Sequence, residues 1–217
     1  MPDTPATLDA LRPRADSEEL PVHRRTISME VFEHDEHFVV VGLLEDQRPF
    51  ASGKSGPRHL HQMELALVVR RSDLTIVDAE ASMVRFPHAE CQDIEPAFSD
   101  LVGMSVARGY TAAVQARFGR QRGCSHVEFL ARALGPVVVQ AVTSAAARRA
   151  EDGEATELFG DATATPAGPM AFLANTCHVW SEGGIGQQKL HTGWRPGQGE
   201  YPAPPLVEIR RRQRADG

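Results

Sequence analysis

The chain has 217 residues, 41% of them apolar, and 29 acidic residues against 23 basic ones, for a formal charge of −6. That apolar content suffices for one good core with a small appendage. The acidic balance excludes a sequence-independent nucleic-acid binder, which needs a basic face to displace counterions from phosphate.

Residues 1–21, rich in Pro, Asp and Glu, read as a disordered lead-in, and no secretory leader is legible there. A first β-branched run, Thr26–Phe32, is followed by the polar patch Glu33–Glu36 and a second run, Phe38–Leu44, which together predict a hairpin. Pro49–Pro57 reads as a loop. Two further strands are expected, His61–Arg70 and Leu74–Met83, joined by a tight turn at Arg71-Ser72-Asp73. The economical arrangement is an antiparallel meander of about four strands.

After Pro87 the period lengthens. Ile94, Phe98, Leu101 and Val102 recur at helical spacing up to Gly103, and Tyr110, Val114 and Phe118 repeat at four-residue steps up to Gly119. A long helical segment follows from Ser125 to Arg149, with a kink or break at Gly135-Pro136. The fold class is therefore α+β, with helices packed on one face of the sheet, and the core domain spans residues 22–150. No run reads as the ~20 apolar residues of a membrane helix.

Residues 151–169 read as a linker. Beyond it, residues 170–217 form an irregular segment that contains both tryptophans, Trp180 and Trp194. Two Trp, a Cys and two His among many glycines predict an ordered segment folding back as a lid. His178, Trp180, His191 and Arg195 would then face substrate. The basic cluster Arg210, Arg211, Arg212 and Arg214 reads as a solvated tail. Gly183-Gly184-Ile185-Gly186 neither follows a predicted strand nor opens a predicted helix, so no nucleotide cofactor is expected.

All three cysteines lie beside groups able to share a metal ion or a proton. Three thiols cannot all pair within one chain, and reduced cysteines in the cytoplasm are expected. Cys124 and His126 fall at the entry of the long helix, where backbone N–H groups favour a thiolate. Cys91 follows His88 and Glu90. His59 and His61, at the start of the third strand and on one face, are expected near Asp78 or Glu80 on the fourth. The assembled set has Cys91, Cys124 and His126 as metal ligands, and His61 and Glu80 as ligands or acid–base groups. Such mixed donors suit zinc or iron. A cross-strand His–carboxylate hydrogen bond without metal is the competing reading.

Taken in order, His61-Gln62-Met63, Asp78-Ala79-Glu80-Ala81, Cys91, Leu101-Val102-Gly103 and Gly123-Cys124-Ser125-His126 resemble an uncharacterised bacterial family, the domain of unknown function 2889, over residues 23–145. That family usually has His-Asp-Met where this chain has His61-Gln62-Met63. A weaker architectural likeness is to the IscU-like iron–sulfur scaffold proteins, and it implies a metal-bearing pocket between sheet end and helix entries.

The leading expectation is a cytoplasmic metal-dependent hydrolase or lyase acting on a small organic molecule, with neither nucleic acid nor membrane as partner. Self-association is compatible with the sequence. Three alternatives stand beside it: a metal-free enzyme with Cys124 as nucleophile, a metal or iron–sulfur carrier, and a non-catalytic ligand-binding protein.

Overall fold

Period-2 alternation dictates the sheet. In β2 (His37–Gln47) the even positions are buried and the odd ones half-exposed, so Phe38, Val40, Gly42, Leu44 and Asp46 share the core face. β1 (Arg24–Glu33), β3 (His59–Arg70) and β4 (Ile76–Arg85) complete a four-stranded sheet in sequence order, with every neighbouring pair antiparallel. The meander matches the expected one, and the α+β class holds. The strands run longer at their polar ends than apolar runs suggest: β1 begins at Arg24, β2 continues to Gln47 and β4 continues to Arg85. The computed structural model describes residues 12–13, 17–54, 56–153, 174–194 and 202–215. Most of the expected lead-in and linker lies outside that range.

Three register shifts interrupt the ladders. One, which leaves Val77 of β4 extra opposite Val68 and Val69, lies at the hairpin end of β3 and β4, and the remaining two lie at the opposite end. Of these two, the first lies between β2 and β3, where Asp46 faces His61 but Gln47 faces His59, leaving Leu60 as the extra residue. The other lies between β3 and β4, where Gln62 faces Arg85 and Met63 faces Met83, leaving Val84 extra. Both sit at the same end of the sheet, and bulges of this kind re-aim neighbouring side chains.

The core face is covered by 3-10 turns over Ala89–Leu101, by α1 (Tyr110–Phe118) and by the first half of α2 (Ser125–Glu151). Gly103, at φ 89°, ends the first of these as expected. Phe98 stacks on Phe118 with ring centroids 4.7 Å apart. α2 lies close to the sheet because β2 carries Gly42: a Cβ there would come within 3.1 Å of Leu134 and 3.3 Å of Leu130. Val127, Leu130, Ala131 and Leu134 are fully buried. Gly135 makes room for the Tyr110 ring, which an added Cβ would meet at 2.4 Å. Pro136 stands inside a helix that continues to Glu151.

Contrary to the sequence reading, one segment, Ser125–Arg149, is long and apolar enough to cross a membrane by length and composition, an 18-residue window within it having a mean hydropathy of 1.4. A core helix meets the same measure, and the buried face just described gives its first half that role.

Contacts divide the chain into two compact units, Met1–Pro136 and Val137–Gly217. In the second, α3 (Ile185–His191) opens directly after Gly184, so the glycine run does start a helix, though one of seven residues. Trp180 packs on Gly186, where a Cβ would come within 2.8 Å of the ring. The basic cluster lies in α4 (Leu206–Ala215) instead of a loose tail, because Leu206 and Ile209 are buried and Glu208 pairs with Arg211 and Arg212.

Candidate metal centre

Asp46 continues the buried alternation of Phe38, Val40, Gly42 and Leu44, so β2 delivers a carboxylate onto the core face. Its side chain is 2% exposed. A buried charge persists only when it is paired and hydrogen-bonded, and the flanking strands supply the partners. Arg25, directly opposite on β1, donates from Nε to Oδ1 and from Nη2 to Oδ2, both at 2.7 Å. His23 Nε2 lies 3.1 Å from Oδ1. His61, opposite on β3, places Nδ1 3.2 Å from Oδ2, and His126 of α2 places Nε2 at the same 3.2 Å. The two imidazole rings lie 4.1 Å apart, tilted by 30°.

Oδ2 is therefore crowded. A carboxylate offers about four lone-pair directions. Arg25 takes one on each oxygen and His23 faces another on Oδ1, which leaves one on Oδ2 for two imidazole nitrogens. His61 Nδ1 is buried and makes no hydrogen bond despite its proximity to Oδ2. Among the described residues, Asp46, His61 and His126 are the group whose ligand atoms converge, all within 4.8 Å of one another. The two 3.2 Å separations are close to the edge of a tetrahedron around an ion with ~2.0–2.1 Å bonds, about 3.3 Å. One cation between the three atoms would satisfy all of them.

The electrostatics agree with that arrangement. Arg25 first, then His23 and His126, holds the Asp46 carboxyl down at about 2 against the opposing cost of burial. His126 is pushed down from the ordinary histidine range, mainly by burial and next by His61. It is neutral at pH 7, the form in which an imidazole ligates. His61 and His126 keep 20% and 18% of their side chains exposed, so the cluster opens to solvent on one side.

Of the sequence-predicted residues, the structure brings His61 and His126 together and sets Cys124 beside them. Cys124 Sγ lies 3.7 Å from His126 Nδ1, the ring nitrogen turned away from Asp46. In this arrangement it touches the ligand and not the ion's position. Cys91 lies in the 3-10 turns after β4 and is not in the converging group.

Glu80 departs from the expectation. It pairs with Ala66, five positions along β3 from His61 and on the opposite face, and is exposed. β4 extends to Arg85, so its end lies beside His61 while Glu80 lies mid-strand. Asp78, opposite Val68, is farther still. His59 and His61 do not share a face either: the bulge at Leu60 turns His59 to Glu45, 2.6 Å away, on the other side of the sheet. The histidines' carboxylate partners come from β2 and not from β4.

In the second unit, Cys177, His178 and His191 are exposed, and Trp180 is half-buried. Arg195 lies outside the described residues. A cavity of about 440 Å³ is lined by Gln115, Arg120, Ser125, Glu128 and Arg132, among others. Ser125, Glu128 and Arg132 lie on the face of α2 opposite His126, Leu130 and Leu134, so this cavity is separate from the cluster.

Sequence reasoning missed Asp46, Arg25 and His23. The signal for Asp46 was available, since the alternation from Phe38 through Leu44 continues onto it.

No curated protein and no solved structure matches the chain, so the likeness to iron–sulfur scaffolds gains no support there. A family profile described as "Protein of unknown function (DUF2889)" matches residues 23–140, from His23 through Arg25, Asp46 and His61 to the middle of α2. That span is more than half of the chain and includes every residue of the cluster, and the chain belongs to this family.

Proposed function

We propose that the chain is a metal-dependent enzyme, a hydrolase or lyase acting on a small organic molecule, with zinc or ferrous iron held by Asp46, His61 and His126. The observation that carries the reading is the convergence of two imidazole nitrogens on one carboxylate oxygen, with His61 Nδ1 buried and lacking a hydrogen bond. Two histidines and one carboxylate form a donor set used for zinc and for non-haem iron, and three protein ligands leave coordination positions open. An ion with open positions polarises a carbonyl or lowers the pKa of bound water. Arg25 and His23 orient Asp46, and Cys124 orients His126, as outer partners that fix ligand geometry. A reducing cytoplasm suits the three free thiols.

A second reading has its own observation. Cys124 Sγ, His126 Nδ1, His126 Nε2 and Asp46 Oδ2 form a chain of contacts in the order of a Cys–His–acid triad. In that version Cys124, at a helix entry, is the nucleophile and His126 the base.

Three variants separate the two. In the metal reading, His61→Ala and His126→Ala each abolish stoichiometric zinc uptake, measured by elemental analysis after reconstitution. Cys124→Ser keeps the ion, at an affinity weakened about 10–100-fold as for other outer partners. If His61→Ala takes up zinc as the parent does, while Cys124→Ser loses a stoichiometric reaction with iodoacetamide that the parent shows, the nucleophile reading replaces it.

A further inference from the structure

The metal reading leaves a charge to be accounted for. A divalent ion brings two positive charges, Arg25 brings a third, and Asp46 is the one carboxylate in the converging group. Carboxylates on adjoining segments are turned elsewhere. Glu45 bonds His59 on the other face of the sheet, Glu128 pairs with Arg132 on the far side of α2, and Glu95 accepts the Met83 backbone N–H. An excess of two positive charges in a half-enclosed site attracts anions strongly.

Arg25 is placed to receive one. Its Nε and one Nη2 hydrogen serve Asp46, and its side chain is 38% exposed. A guanidinium has five N–H donors in a rigid fork, so those on Nη1 and the second on Nη2 remain available. Nη2 is 2.7 Å from the same Oδ2 that would bind the ion. A ligand on an open position of the ion that faces Arg25 would meet the guanidinium edge beside it. Planar oxyanions match that fork in two-point fashion.

We infer that the molecule bound at this centre is an oxyanion, an organic carboxylate or phosphate, with one oxygen on the ion and another on Arg25. The inference rests on the metal reading. It gives Arg25 two roles, holding Asp46 with one edge and selecting anions with the other.

The test uses full-length protein loaded with Co²⁺, whose visible spectrum reports changes in its ligands. Acetate, inorganic phosphate and, as a neutral control, acetamide are titrated into the parent, Arg25→Gln and Arg25→Lys. The expected result is that acetate or phosphate perturbs the parent spectrum at concentrations at least tenfold below those acetamide needs. The preference falls at least tenfold in Arg25→Gln and returns in part in Arg25→Lys. Whichever anion binds the parent more tightly assigns the carboxylate or phosphate class. Equal anion affinity in parent and both variants, or no preference for anions over acetamide in the parent, overturns the inference while the metal site stands. A parent that takes up no cobalt overturns the metal reading, and this inference with it, before any anion is added.

Discussion

At the scale of single residues, Asp46 is the pivot. It is a buried carboxylate on a strand face otherwise composed of Phe38, Val40, Gly42 and Leu44. Its cost of burial is offset first by Arg25 and then by His23 and His126. The folded carboxyl titrates at about 2, below its usual value of 3.8, so the carboxylate's contribution to stability is complete above pH ~4 and is lost as pH falls toward ~2. His126 acts in the same direction at higher pH. Its folded pKa lies below 6.5, so protonation opposes the fold as pH falls from ~6.5 through the folded value. Asp46→Asn should lower unfolding free energy by about 2–3 kcal/mol at pH 7, since Arg25 is left without its counter-charge but can partly hydrate. The variant should also show a smaller decline in stability between pH ~4 and ~2 than the parent, with the remainder due to carboxylates such as Asp73 and Glu208. Urea melts at several pH values check this, and a variant as acid-sensitive as the parent would remove Asp46 from that role.

At the scale of elements, the site exists because three structural decisions coincide at one sheet end. The β2–β3 bulge at Leu60 separates His59 from His61, sending one to each face. The alternation of β2 puts Asp46 on the core side. Gly42 then lets α2 lie close enough for His126 to reach Oδ2. Gly42→Val should push α2 off the sheet, costing about 1–3 kcal/mol by overpacking and weakening metal uptake without touching a ligand. Denaturation midpoints and zinc titration of the same preparation read both effects. Loss of stability with unchanged zinc affinity would separate the helix position from the site.

The order of strands, their antiparallel pairing and the helical segments up to α2 are legible in the sequence because apolar periodicity marks them, whereas α3 and α4, short and polar, are not. His61 and the Cys124–His126 pair are legible too, as chemistry-bearing residues at a strand start and a helix entry. The strand ends are not. Arg24-Arg25, Glu45-Asp46-Gln47 and Val84-Arg85 carry charges that strand propensity does not favour, and they are held in the sheet by cross-strand partners that only the fold supplies. Ending β4 at Met83 instead of Arg85 makes Glu80 look like a neighbour of His61. The bulges, which one sequence does not announce, decide which face each histidine takes.

At the scale of the whole molecule, the unit Met1–Pro136 contains all of Asp46, His61, His126, Arg25, His23 and Cys124. An ion bound there stabilises the native state by mass action, because unfolded chain has no such site. Zinc at about 100 times its dissociation constant should add about 2.7 kcal/mol to the stability of that unit, and His61→Ala should abolish the gain. A zinc-independent unfolding transition in the parent would mean that the ion does not bind the folded site. The most direct measurement is the metal content of full-length protein purified without chelators, then reconstituted under anaerobic conditions with zinc or ferrous iron. Close to one ion per chain is expected in the parent and almost none in His61→Ala or His126→Ala. A well-folded parent that stays metal-free after reconstitution would contradict the metal reading.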